Sequence, residues 1–139
     1  MYLTPFCART VRDVRINDPA VVAEVRAAFD AYEVSLLAND VDDLDRWFHD
    51  GPEVVRFIFG RVELGATEVS AARRAVPRQT APRTIEQLEI RTWGDDVASA
   101  FAVCRLTDSG EVVHQSQTWA RLDAGWRVVA AHVSPASSG

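Results

Sequence analysis

The chain has 139 residues, of which 47% are hydrophobic and 25% charged, a size and composition typical of one globular domain. No segment approaches the roughly 20 apolar residues that span a bilayer, and the amino terminus lacks the apolar stretch of a signal peptide. We therefore expect a cytoplasmic protein with no membrane partner. The net charge of -5 is not collected into blocks, which argues against a nucleic-acid partner. All 15 basic residues are arginine, so lysine chemistry is excluded.

The amino-terminal part predicts an arm followed by a long helix. Residues 1–16 show no periodicity, and we expect a flexible or partner-packed arm there. Order is expected from Asn17, and a helix is predicted from Pro19 to about Ala38, because Asp18 is a suitable N-cap before Pro19 and apolar residues then recur every three or four positions. This spacing places the Tyr32 ring on the buried stripe of the helix.

Four shorter elements are expected next. A second helix is predicted over 41–48 and ends at a Gly-Pro turn. The β-branched and aromatic residues of 53–59 predict a strand, and a short strand over 61–64 follows it between two glycines. A third helix is predicted over 67–76, with Thr67 as its cap and a proline after it.

The carboxyl-terminal half predicts four long strands joined by turns rich in Gly and Asp, over 84–93, 97–106, 111–122 and 126–134. The short connections indicate an antiparallel meander. Helices followed by a strongly curved antiparallel sheet define an α+β fold, in which the long helix covers one sheet face and a pocket opens at one end. We expect a single domain over 17–134 and a frayed tail over 135–139.

Two stretches of the sequence resemble a known family. The run from Gln115 to Trp119, followed by Gly-Trp-Arg-Val-Val-Ala-Ala-His-Val-Ser over 125–134, is similar to the AtzH-like branch of the NTF2-like superfamily of cystatin-like cones, which includes the HpxZ proteins of oxalurate catabolism. The stretch from Asn17 to Phe57 resembles the same group. The resemblance implies an NTF2-like α+β cone, a homodimer, and a small pocket between the first helix and the concave sheet.

The resemblance also implies an activity. Members of this group act on small ureido acids, in one case by a decarboxylating amide hydrolysis of a dicarboxylated urea. It assigns catalytic positions to Tyr32 and Arg56 and places Arg73 near the pocket mouth as a substrate-binding residue. The simplest interpretation of Arg73 and Arg74 from the residues alone is instead that both lie on a solvated helix face. We therefore expect an enzyme that uses no cofactor and no metal and acts on a small anionic ureido or amide acid.

Several positions differ from the pattern of this group. Ile58, Arg61 and Leu64 stand where the group has a glycine-bearing strand, a glutamate and a tyrosine. Val76 replaces the second of two arginines on the third helix, and His114 replaces an arginine. These differences bear on the substrate and the reaction and leave the predicted fold intact.

Arg56 and Tyr32 each have two interpretations. Arg56 lies on a strand face that is otherwise apolar, and a buried guanidinium needs an anion. That anion is either a substrate carboxylate held bidentately or an internal carboxylate such as Glu33 or Glu63. Tyr32 is either a general acid or base or a core ring whose hydroxyl is satisfied by a neighbour.

The last two strands carry further candidates. Gln115, Gln117 and Trp119 share one strand face and would form a polar wall that donates to carboxylate or urea oxygens, unless that face is the exposed convex one. His132 shares its predicted face with Trp126 and Val128 and is either a proton shuttle or a core histidine. The histidines have no metal-binding spacing, so no metal site is expected.

Two other classes of function stay open. Cyclases, dehydratases and isomerases, among them the SnoaL-like and ketosteroid-isomerase types, also use this fold. A wide pocket lined by Phe57, Phe59, Phe101 and Trp119 would favour that chemistry on a more apolar substrate. A non-catalytic homodimer that binds a ligand or assists an amidohydrolase partner is the third interpretation.

Overall fold

The computed structural model describes residues 13–136, so residues 1–12 of the expected arm and 137–139 of the expected tail lie outside it. Three helices and six strands follow one another along the chain: α1 (Pro19–Leu37), α2 (Val41–Trp47), β1 (Val55–Ile58), β2 (Arg61–Leu64), α3 (Ala66–Arg74), β3 (Arg83–Thr92), β4 (Val97–Leu106), β5 (Val112–Leu122) and β6 (Gly125–Pro135). None of the helices within 13–136 is long and apolar enough to cross a membrane.

The six strands form one sheet in the order β2-β1-β6-β5-β4-β3. The expected antiparallel meander is confirmed, since β3, β4, β5 and β6 pair in sequence order. The β1–β2 hairpin joins the sheet at β6, and β1 runs parallel to that strand. The sheet is therefore mixed rather than purely antiparallel, and the first hairpin lies beside the last strand.

The helices cover the concave face of this sheet, as the α+β class requires. Helix α1 begins as predicted, because the Asp18 carboxylate accepts a hydrogen bond from the Ala20 N–H at 3.0 Å and Pro19 occupies the first turn. The core joins this helix to the sheet through fully buried apolar side chains: Val25, Phe29, Leu44, Val54, Val69, Cys104, Trp119 and Val128.

Helix α3 starts differently from the prediction. Its N-cap is Gly65, not Thr67, and Gly65 has a φ of 91°. The chain turns sharply there from β2 into the helix, and glycine adopts this backbone conformation without steric cost. The first turn is stabilised by Glu68, whose carboxylate accepts from the Leu64 N–H at 2.8 Å.

A β-bulge in β6 changes which of its residues face inward. Thr118 lies opposite Ala130 but Trp119 lies opposite Val128, which leaves Val129 as one extra residue. One extra residue exchanges the two faces of a strand beyond that point. His132 therefore lies on the outer face and is exposed, and the prediction that it shares a face with Trp126 and Val128 is wrong.

Candidate active site

A cavity of about 400 Å³ lies between α1, α3 and the inner face of the sheet. Its polar lining consists mainly of five arginines, together with Tyr32, Gln79, Thr80, Gln115 and Gln117. The arginines are Arg56, Arg61, Arg73, Arg78 and Arg83. Among the described residues, no Asp, Glu or His lines this cavity. The cavity is thus cationic although the chain carries a net charge of -5.

Arg56 lies on the inner face of β1 and is buried. Its Nε donates to Glu63 Oε1 at 2.6 Å, because Glu63 is its direct partner on the neighbouring strand β2. Glu63 is therefore an internal carboxylate partner of Arg56, as one of the two interpretations from the sequence expected. The two terminal nitrogens of Arg56 have no acceptor within the described chain, so they remain free to bind an anion in the cavity.

Arg73 on α3 is only 1% exposed and is incompletely paired. Its Nε lies 3.3 Å from Asp45 Oδ1, and its guanidinium sits 4.5 Å from the centre of the Phe48 ring. Both Nε and Nη2 are buried without a hydrogen-bond acceptor. Burial lowers the pKa of Arg73, and the nearby charge of Arg56 lowers it further, while Tyr32 and Asp45 oppose the shift.

Arg83 is a cavity residue that the sequence analysis missed. It opens β3, and its guanidinium donates to both carboxylate oxygens of Glu33 on α1, at 2.9 and 2.8 Å. The same Nη2 donates to Gln115 Oε1 at 3.1 Å. Burial alone would lower the pKa of Arg83, but hydrogen bonds and the charge of Glu33 outweigh it and raise the pKa. One sequence signal could have identified it: Arg83 lies two residues before Ile85, so strand alternation places both side chains on the inner face of β3.

Gln115 and Gln117 lie on the inner face of β5 and line the cavity. Trp119 shares that face but is fully buried and does not line the cavity. Its indole N–H donates to Gln117 Oε1 at 3.0 Å, and its ring packs edge-on against Tyr32 at 6.2 Å. Trp119 therefore does not reach this cavity, and it supports Gln117 and Tyr32, which do line it.

Tyr32 reaches the cavity from α1 with a buried ring. The ring packs against Phe48 at 6.3 Å. No residue within 13–136 forms a hydrogen bond with the Tyr32 hydroxyl. His132, in contrast, lies on the outer sheet face beside the Phe57 ring, at 5.9 Å, so the structure does not bring it to the other residues of this cavity.

The residues that differ from the family pattern fall into two groups. Ile58, Arg61 and Val76 line the cavity. Leu64 is 58% exposed, and His114 lies on the outer face. Ile58, Arg61 and Val76 are therefore the departures from the family pattern that can change ligand binding.

The wide apolar pocket expected for isomerase chemistry is not formed by residues 13–136. Of its four expected lining residues, Phe59 alone reaches the cavity. Phe57 and Phe101 lie on the outer face and Trp119 is in the core. Within the described chain no three His, Cys, Asp or Glu side chains are grouped so that they could hold a metal ion.

Helices packed against the concave side of a strongly curved sheet, around a polar cavity, define the NTF2-like or cystatin-like cone. The chain belongs to the AtzH-like family, whose model matches residues 14–138. The expected fold and family are thereby confirmed.

Solved structures support this assignment. A DUF3225-family protein of unknown function from Pectobacterium atrosepticum is 39% identical, with a TM-score of 0.84 over 88% of this chain and 95% of its own. A cystatin-like fold protein from Burkholderia xenovorans is 33% identical, with a TM-score of 0.85 over 91% and 100%. A candidate dehydratase of the NTF2-like family from Streptomyces avermitilis is 16% identical, with a TM-score of 0.72 over 86% and 99%, and shares the fold. No curated protein matches the chain significantly.

Proposed function

We propose that this protein is a small enzyme that binds an anionic ureido or amide acid in the cavity. It hydrolyses a carbon–nitrogen bond of that acid with loss of carbon dioxide, and it uses its own side chains without a cofactor or metal. The membership in the AtzH-like family and the cationic lining of the cavity support this proposal.

The observation that carries the proposal is the state of Arg73. A side chain that is 1% exposed and keeps two nitrogens without acceptors is costly to bury. Asp45, 3.3 Å from Nε, is shared with Arg74 and compensates the charge of Arg73 only in part. A substrate carboxylate would supply the missing acceptors. Arg56, with both terminal nitrogens free, would bind the same anion from the facing strand.

Tyr32 moves the proton in this mechanism. Water adds to the substrate carbonyl carbon, and the carbon–nitrogen bond breaks with its electron pair on nitrogen. The Tyr32 hydroxyl protonates that nitrogen and regains a proton from the added water. A carboxyl group left on nitrogen departs as carbon dioxide while the nitrogen takes up a proton from solvent. Arg56 and Arg73 stabilise the negative charge that develops on oxygen.

The test is turnover of ureido acids, with oxalurate as the first, followed by release of ammonia and carbon dioxide. We expect the wild type to turn over at least one acid of the panel. Tyr32→Phe should lower kcat by at least about 100-fold, because it removes the proton donor. Its affinity for malonate should stay unchanged, because the arginines of the cavity remain in place.

Three results would contradict this proposal. Full activity of Tyr32→Phe would remove the tyrosine from the mechanism. A thermal shift with bulky apolar ketones but not with carboxylates would favour isomerase or cyclase chemistry. Carboxylate binding without turnover, combined with co-purification of an amidohydrolase, would favour the accessory role.

We also propose that two copies of the chain associate through the outer face of the sheet. Phe57 and Phe101 are 43% and 57% exposed there. Two shallow depressions, of about 330 and 200 Å³, share a lining that includes Phe101, Ser116 and His132. Exposed aromatic side chains beside concave surface are typical of an interface, and one face pairing with itself gives a closed dimer.

A further inference from the structure

The amide orientation of both cavity glutamines is set by neighbours that can only donate hydrogen bonds. Gln115 Oε1 accepts from Arg83 Nη2 at 3.1 Å, and Gln117 Oε1 accepts from Trp119 Nε1 at 3.0 Å. A guanidinium and an indole N–H have no acceptor lone pair. Neither hydrogen bond could form with a flipped amide, so each Nε2 amino group is turned away from these contacts.

The two amino groups have no protein acceptor. Gln115 Nε2 is buried without a hydrogen-bond partner, and Gln117 Nε2 has no acceptor within residues 13–136. Both side chains line the cavity together with Arg56 and Arg73, which also keep unpaired N–H groups. The unpaired polar groups of Gln115, Gln117, Arg56 and Arg73 at this side of the cavity are therefore hydrogen-bond donors.

We propose that Arg83 and Trp119 are positioning residues that hold Gln115 and Gln117 as a pair of donors. We call this pair the glutamine wall. It selects ligand faces made only of acceptors, such as a carboxylate, and disfavours a primary amide, whose N–H group would face another donor. This inference rests on the proposed function, because it takes the cavity to be a carboxylate site.

The two positioning residues are themselves held firmly. Arg83 is anchored by both carboxylate oxygens of Glu33, so its Nη2 cannot turn away without breaking a buried ion pair. Trp119 is fully buried and is packed edge-on by Tyr32 and Trp47, at 6.2 and 6.0 Å. Each glutamine thus faces a donor that the surrounding core keeps in one orientation.

The first test is Gln115→Glu, with malonate binding measured by calorimetry. The new carboxylate keeps an oxygen for Arg83 but replaces the donor in the cavity with an acceptor. We expect malonate to bind about 10- to 100-fold more weakly, the loss that removal of a hydrogen bond to a charged group produces. The thermal midpoint should fall, because the new carboxylate is buried close to Glu33, which binds the same Arg83 nitrogen. Circular dichroism at the temperature of the titration checks that the variant is folded. Arg26→Gln on the exposed face of α1 changes the net charge equally and should bind as the wild type does.

The second test compares malonate with its monoamide, malonamate. The wild type should prefer malonate. Trp119→Phe keeps an aromatic ring but loses the N–H that binds Gln117 Oε1. Gln117 can then turn its oxygen toward an amide N–H of the ligand. The preference for malonate over malonamate should therefore fall about two- to tenfold. The matched control is Trp126→Phe, which loses an N–H bond to Glu24 Oε1 away from the cavity and should keep the preference.

The outcomes separate this inference from the proposed function. If a folded Gln115→Glu protein binds malonate as tightly as the Arg26→Gln control, or if Trp119→Phe keeps the wild-type preference, the positioning roles are refuted and the carboxylate site stands. If the wild type binds neither malonate nor any ureido acid, the proposed function fails and this inference fails with it.

Discussion

Arg73 is the side chain whose burial is hardest to explain by folding alone. It combines 1% exposure with two nitrogens that lack acceptors, and it shares Asp45 with the neighbouring Arg74. An apolar side chain of similar volume often serves stability as well as a buried charge does. The position is therefore better explained by a ligand than by the fold.

We expect Arg73→Met to separate stability from binding. The free energy of unfolding should stay the same or rise, because a guanidinium with two buried, unpaired nitrogens is removed while Asp45 keeps Arg74 and Ser70 as partners. Malonate binding should be lost. Urea denaturation and titration calorimetry measure the two quantities on the same preparation.

The control for this variant is Arg74→Met. Arg74 is half exposed and pairs with Asp42 at 2.7 Å, so its replacement should leave malonate affinity unchanged. A large loss of stability in Arg73→Met with wild-type affinity would mean that the guanidinium serves the fold and not a ligand.

At the level of elements, the start of α1 depends on a single capping side chain. Asp18 accepts from the Ala20 N–H and also lies 3.1 Å from Arg15. Asp18→Ala should lower the free energy of unfolding by about 1 kcal/mol and the thermal midpoint by about 4 °C. Asp18→Asn keeps the capping oxygen and should stay close to the wild type, so equal losses in the two variants would rule out capping as the cause.

The β6 bulge shows why the strand pattern alone misplaced a residue. Strict alternation puts His132 on the same face as Val128, and nothing in the local sequence marks Val129 as an extra residue. The pairing of β6 with β5 introduces the bulge, and it turns Ala131 and Val133 toward the cavity instead. Strict alternation therefore predicted a histidine on the inner face, where the fold places Ala131 and Val133.

For the whole molecule, the outer sheet face is where association is expected. Phe101→Glu would place a charge at the centre of the proposed interface, where it could not be desolvated without cost. We expect the wild type to sediment as a dimer and this variant as a monomer with unchanged secondary structure.

The control for association is Val34→Glu. Val34 is 68% exposed on α1, on the helical side of the molecule, and its replacement should leave the dimer intact. A monomeric wild type, or a dimer that survives Phe101→Glu, would contradict association through the outer face.

Local patterns predicted the elements and the α+β cone, because helical periodicity, capping and short turns involve residues close in sequence. The AtzH-like family was predictable because the motif of the last two strands is specific. The sequence also showed that Arg56 needs an anion, although not which one. Three features of the site emerge in the folded chain alone: Arg56 pairs with Glu63, Arg83 reaches Gln115, and His132 lies on the outer face. These contacts join residues distant in sequence, or depend on strand register, and no local pattern encodes them.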